Sequence, residues 1–147
     1  ETSGYVGQLV AAVRNRTPQQ HDNILVRVPT WIEDVADAVA FLLARQTEGI
    51  VHVSGPRAAT RYASALEVAQ ILGLPHDHLS PSQTVVARRA PRPLNSRLAT
   101  ERLRGLGYAR ATDFADVVRA VLSAVVTVEQ ARRPAPTGGR TARAGDR

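Results

Sequence analysis

The chain has 147 residues, 44% hydrophobic and 22% charged, with a net charge of +6 and no cysteine, a size and balance that fit one globular domain with a modest core. Without cysteine there is no disulfide framework, no thiolate nucleophile and no Cys-ligated metal site. All 19 basic residues are arginine, which excludes Schiff-base chemistry and a P-loop lysine, and no apolar run approaches the roughly 20 residues of a bilayer span, so the expected setting is soluble and cytoplasmic.

The elements alternate between helical and strand-like patterns, which points to an α/β class. A first helix is predicted from Gly4 to Arg16, with Tyr5, Val6, Leu9, Val10 and Val13 on one face and Pro18 just beyond. Its abrupt start after Glu1-Thr2-Ser3 suggests a piece of a larger protein. Asn23 to Val28 alternates like a short strand that ends at Pro29. Thr30-Trp31-Ile32-Glu33 reads as a capping box, with Asp34 and Asp37 near the positive end of the helix dipole. The helix it opens is expected to bury Trp31, Val35, Ala38, Val39 and Leu42 and to end near Arg45.

Ile50 to Ser54 is β-branched without alternation, as expected of a central strand covered on both faces, and Gly55-Pro56 stops it. Thr60 is placed to cap a helix that turns Tyr62, Ala65, Leu66, Ala69 and Leu72 inward and ends at Gly73, before Pro75. Gln83 to Ala87 reads as a short strand. A short helix is predicted from Thr100 to Leu106, ending at Gly107. Asp113 then precedes a last helix with Phe114, Val117, Val118, Val121, Leu122 and Val125 at helical spacing.

The charge is unevenly placed. Gln130 to Arg147 holds five Arg and one Asp, hence +4 of the +6, and leaves +2 for residues 1–129. Those last 18 residues, rich in Arg, Pro and Gly, have too few apolar side chains to offset the entropy of ordering, so residues 130–147 are expected to form a disordered tail and residues 1–129 the domain. A second basic cluster, Arg88, Arg89, Arg92, Arg97, Arg102 and Arg104 against Glu101, lies within that domain.

Three motifs occur in order: Pro29-Thr30-Trp31-Ile32-Glu33-Asp34-Val35-Ala36, Gly49-Ile50-Val51-His52-Val53-Ser54-Gly55, and Arg92-Pro93-Leu94-Asn95-Ser96-Arg97-Leu98. With Leu103-Arg104-Gly105-Leu106-Gly107 after them, they resemble the second half of dTDP-4-dehydrorhamnose reductases and related extended short-chain dehydrogenases. There the corresponding stretches read Pro-Thr-x-x-Glu-Asp-Leu-Ala, Gly-x-x-His-x-Ser-Gly and Arg-Pro-x-Asn-Ser-x-Leu. The similarity runs from about Gly4 to Leu122. It implies the C-terminal, substrate-binding part of a Rossmann-type fold, without the N-terminal dinucleotide-binding half, acting on a nucleotide-sugar with NAD(P)H in the full-length family.

The substrate-binding residues this resemblance implies are Arg92, Asn95, Ser96, Trp31 and Thr30. The Arg92 guanidinium offers paired planar donors suited to a diphosphate; the alternative is an ion pair with Glu33 or Asp34. Asn95 and Ser96 suit ligand hydroxyls or the turning of their own loop. Trp31 suits stacking on a base or sugar, or a core anchor, and Thr30 is explained by capping alone. His52 reads as a core histidine, and His76-Asp77-His78 as a solvated loop rather than a metal site. No catalytic residue and no metal ligand is expected.

Two departures from the family pattern stand out. Arg27 occupies a position that is usually Gly, and Ala99 one that is commonly Asp or Ser. The chain also contains no Gly-x-Gly-x-x-Gly and no Tyr-x-x-x-Lys, since Leu9, Leu66 and Thr112 stand at the lysine offset from Tyr5, Tyr62 and Tyr108. This stretch by itself therefore binds no nicotinamide cofactor and cannot complete hydride transfer. The sequence leaves three readings open: a portion of a sugar-nucleotide reductase that needs a Rossmann half, a non-catalytic regulatory subunit of the same fold, like the regulatory subunit of methionine adenosyltransferase, and a basic nucleic-acid binder. A membrane partner is not expected, and nucleic acid is the least favoured partner, because most of the charge lies in the tail.

Overall fold

The structure is a computed structural model that describes residues 4–84, 90 and 92–132, with side-chain surroundings as far as residue 124. Its elements are α1 (Tyr5–Arg14), β1 (Gln19–Asp22), α2 (Ile32–Ala44), α3 (Arg61–Leu72), β2 (Leu79–Ser82), α4 (Glu101–Gly105) and α5 (Phe114–Arg132). The class is α/β, as expected, with helices dominant. β1 and β2 form a parallel pair in the register Gln19 to Leu79 and His21 to Pro81.

Two apolar clusters hold the elements together. In the larger, Leu9, Val10 and Val13 of α1 meet Ala65, Val68 and Ala69 of α3, Leu79 of β2, and Phe114 and Val118 of α5. Leu9, Val13, Val68 and Val118 are completely buried, the condition under which each side chain contributes most to stability. The smaller cluster joins Ala38 of α2, Leu103 of α4 and Tyr108, with Phe41, Leu42, Val51 and Val53 around it. The edge-on contact between Phe41 and Tyr108, with ring centres 5.1 Å apart, closes it.

Most helix signals held. Thr60 Oγ1 accepts the Ala63 N–H at 3.2 Å, and Gly73 ends α3 with φ +63°, a left-handed geometry suited to glycine. Gly107, at φ +93°, closes the turn after α4.

The strand assignments need correction. Asn23–Val28 is no strand: it makes isolated bridges, Val26 to Asn95 and Arg27 to Ala59. The strand lies one step earlier, in the polar Gln19–Asp22, where the Gln19 amide donates to the carbonyls of Ala12 and Asn15. Ile50–Ser54 is also no strand, and Ile50 is 79% exposed. β-branched residues favour a strand only where a neighbouring pleated surface receives them, and no strand lies beside this run among the described residues. Instead Arg102 donates to the carbonyls of Glu48 (2.6 Å) and Ile50 (2.7 Å). Of the strand expected over Gln83–Ala87, residues 85–87 fall outside the described residues, as do Arg88, Arg89 and residues 133–147; α5 runs to Arg132, into the tail expected from Gln130.

The capping box is overturned as well. α2 starts one residue later than the box requires, with Trp31 at the N-cap and no side-chain cap bond. Glu33 instead accepts the Trp31 indole N–H at 3.1 Å. Val39, expected inside, is exposed, and Asp34, placed by its charge at the positive end of the helix dipole, is 3% exposed. The Asp34 carboxylate accepts the Thr112 N–H (2.6 Å) and hydroxyl (2.8 Å) and has Arg110 at 3.4 Å, while its carbonyl accepts the Tyr108 hydroxyl. The partnered carboxylate ties α2 to the loop that enters α5, which is why it tolerates burial.

Candidate functional site

The segment just before the first motif meets the third motif, 70 residues away in the chain, through its backbone, and the first motif meets the second. Val26 N–H donates to Leu94 O at 2.7 Å, and Val26 O accepts both the N–H and the hydroxyl of Ser96 at 3.2 Å. Thr30 Oγ1 donates to Val28 O at 3.2 Å and accepts the Gly55 N–H at 3.0 Å. Gly55 lies so close to Pro29 that a Cβ there would stand 2.1 Å from the Pro29 carbonyl oxygen. Only glycine fits that approach. His52 Nδ1 lies 3.2 Å from Ala99 O; the ring is exposed, not the core histidine expected.

Beside this junction is a cleft of about 1020 Å³, bounded by the first turn of α1, the segment from Leu25 to Ile32, Arg61 and the N-terminal half of α5. Thr30, Trp31, Arg92 and Ser96 line it; Asn95 does not, and its side chain accepts the Arg97 N–H at 3.0 Å, turning its own loop. Arg92 is exposed and makes no ion pair among the described residues. The acids expected to compete for it are engaged elsewhere, Glu33 by Trp31 and Asp34 by Thr112 and Arg110. Trp31 thus lines the cleft with its indole N–H already engaged. The hydroxyls of Thr30 and Ser96 already donate to backbone carbonyls, which leaves them acceptor capacity for a ligand.

Three lining residues were not legible as site residues. Tyr5 reads as an apolar helix position, yet its hydroxyl is buried and unpartnered among the described residues. Arg61 opens α3, its guanidinium carbon 6.0 Å from the Tyr5 ring centre. Arg27, the departure from the family pattern, donates from Nη1 to Val26 O (3.2 Å) and Pro93 O (3.1 Å). The described members of the basic cluster do not act as one patch. Arg102 and Arg104 are spent on Glu48, Ile50 and Thr100, and Arg97 and Arg104 line a separate hollow of about 410 Å³.

Two histidines, His21 and His78, are buried. His78 Nε2 is 3.2 Å from Ala12 O, so His78 is not part of a solvated loop, while both ring nitrogens of His21 lack partners among the described residues. Burial, then Arg61 and His78, lower the His21 pKa below its ordinary 6.5. Asp77 pairs with Arg16, and among the described residues no three potential ligands gather around a metal position. A nicotinamide dinucleotide does not fit the described residues in the manner of a Rossmann turn, because β1 leads into the extended Asn23–Pro29 loop rather than into a glycine turn that opens a helix.

The fold is that of the C-terminal part of Rossmann-type extended short-chain dehydrogenases. The dTDP-4-dehydrorhamnose reductase of Clostridium acetobutylicum superposes with a TM-score of 0.74 over 86% of this chain and 45% of its own, at 17% identity. The chain belongs to the family of the RmlD substrate binding domain, which matches residues 1–127. Among curated relatives, methionine adenosyltransferase 2 subunit beta of Xenopus laevis is 32% identical over 106 residues, 69% of this chain and 32% of that protein. A probable dTDP-4,6-dihydroxy-2-methyloxan-3-one 4-ketoreductase of Streptomyces antibioticus is 32% identical over 103 residues, 69% of this chain and 35% of that protein. The chain thus spans about a third of the curated relatives it matches. Among the described residues no helix is long and apolar enough to cross a membrane.

Proposed function

We propose that this chain is the sugar-nucleotide-binding portion of a dTDP-4-keto-sugar reductase of the cytoplasm, and that the cleft beside Thr30 and Arg92 receives the nucleotide-sugar. The observation that carries this reading is the convergence on one cleft of Thr30, Trp31, Arg92 and Ser96, residues of the first and third motifs. A guanidinium without a carboxylate partner, an aromatic face and two hydroxyl acceptors match the diphosphate, the base or sugar ring and the hydroxyls of such a ligand. Reduction needs NAD(P)H and a proton donor, which a dinucleotide-binding half would supply.

Ile32, Val39 and Leu43 support that pairing, since they lie on one face of α2 and are 72%, 47% and 72% exposed, with Ile50 also uncovered. An apolar face of this kind suits coverage by a further domain. Titrating dTDP-glucose into the protein by calorimetry tests the reading. Binding that Arg92→Ala weakens about tenfold, the scale of one charge-assisted contact, supports it; no binding by the unaltered chain overturns it.

A second reading rests on the resemblance to methionine adenosyltransferase 2 subunit beta. Here the same apolar face would cover a catalytic subunit of another protein. Co-purification of the chain with a methionine adenosyltransferase catalytic subunit would support it, and a chain that elutes alone would count against it.

A further inference from the structure

We propose that Arg61 and Arg27 join Arg92 to form a three-guanidinium cradle that makes the cleft selective for a diphosphate group, with Arg61 as a specificity-determining residue. The proposal rests on the sugar-nucleotide reading for the identity of the ligand, but not for its charge. The three side chains come from separate parts of the chain: the Asn23–Pro29 loop, the first turn of α3 and the Arg92-Pro93 loop. All three line the same cleft.

None of the three guanidinium groups is in an ion pair among the described residues. Among the described residues the one carboxylate lining the cleft is Asp22, whose Oδ1 accepts the N–H groups of Ile24 and Leu25 at 2.9 and 3.1 Å. Three positive charges against one negative leave +2 in a walled cleft, where the lowered dielectric strengthens the field on a bound anion. A diphosphate diester, carrying two negative charges, balances it.

The three arginines differ in how they are held. Arg27 spends Nη1 on Val26 O and Pro93 O, and the second bond fixes the backbone next to Arg92. A guanidinium has five donors, so most of those on Arg27 stay available. Arg61 has only a long 3.4 Å contact from Nη1 to Gln8 Oε1, and its guanidinium carbon lies 6.0 Å from the Tyr5 ring centre. That placement orients it weakly and leaves it free to turn onto an anion. The unpartnered Tyr5 hydroxyl beside it adds a further donor.

Inorganic pyrophosphate, inorganic phosphate and dTDP-glucose serve as probes in calorimetric titrations of the whole chain, with Arg61→Gln and Arg27→Gln as variants and circular dichroism to confirm folding. The proposal expects pyrophosphate to bind more tightly than phosphate, and Arg61→Gln to weaken both pyrophosphate and dTDP-glucose about tenfold, the effect of one charge-assisted contact. Arg27→Gln should weaken them at least as much, because it also loosens Arg92.

Unchanged affinity in a folded Arg61→Gln variant overturns the cradle, even if Arg92→Ala still weakens dTDP-glucose binding and so leaves the sugar-nucleotide reading intact. Pyrophosphate binding that depends on Arg61, with no binding of dTDP-glucose, keeps the cradle and sinks the sugar-nucleotide reading. Equal affinity for phosphate and pyrophosphate overturns the selectivity for a diphosphate.

Discussion

The amide of Gly55 donates to the hydroxyl of Thr30 at 3.0 Å, joining two segments 25 residues apart at a point where no side chain fits between them. A Gly55→Ala methyl would stand 2.1 Å from the Pro29 carbonyl oxygen, inside the contact distance of any pair of non-bonded atoms, and backbone cannot rotate aside as a flexible side chain does. Gly55→Ala should cost about 2 kcal/mol, typical of overpacking, read from urea unfolding. It should also weaken dTDP-glucose binding, because Thr30 and Trp31 line the cleft. A fully stable Gly55→Ala protein would contradict this close packing.

The buried Asp34 carboxylate joins α2 to the loop before α5. Asp34→Ala removes the acceptor of the Thr112 N–H and hydroxyl and leaves both groups without a partner. We expect a loss of about 3 kcal/mol in urea unfolding, the scale for breaking a buried, hydrogen-bonded charged group. Asp34→Asn keeps an acceptor for Thr112 N–H and should lose less.

Acid should destabilise the protein through His21. Its pKa lies below 6.5 in the folded chain and returns to the ordinary value on unfolding, so below that value the unfolded state binds the additional proton. This contribution is fully present above pH 6.5 and is lost as the pH falls from there through the folded pKa. His21→Leu should flatten that part of the stability curve, and thermal unfolding midpoints across pH 5 to 7.5 would show it. An unchanged slope in His21→Leu would assign the effect to another group.

Core and surface aliphatics should respond differently. Leu9→Ala empties a completely buried site between α1 and α3 and should cost about 3 kcal/mol. Leu43→Ala, at a position 72% exposed, should change stability by no more than about 0.5 kcal/mol. Chemical denaturation of the two variants side by side measures the contrast.

Helices were legible in this sequence because their signals are local. Thr60, Gly73 and the spacing of Phe114, Val117 and Val118 fix caps and faces within a few residues. Strands were not, because a strand depends on what lies beside it. Gln19–Asp22 is polar and pairs through its backbone, while the β-branched Ile50–Ser54 has the composition of a strand and no neighbour to pair with. At the site, Thr30, Trp31, Arg92 and Ser96 could be read from motifs, but Arg61 and Tyr5 could not. Nothing in the local pattern of α1 or α3 announces that both helices begin at the same cleft. The capping box misled for a related reason: the Thr30 hydroxyl had a competing partner in Gly55, far along the chain.

α2 has one face in the smaller cluster and the other, through Ile32, Val39 and Leu43, facing water. Water contact at those side chains does little to the folding equilibrium of a single molecule, yet it favours the meeting of two. The practical limit on handling this chain by itself is therefore concentration rather than temperature: dilute samples should keep native spectra on heating to the unfolding midpoint, while concentrated ones scatter light well below it.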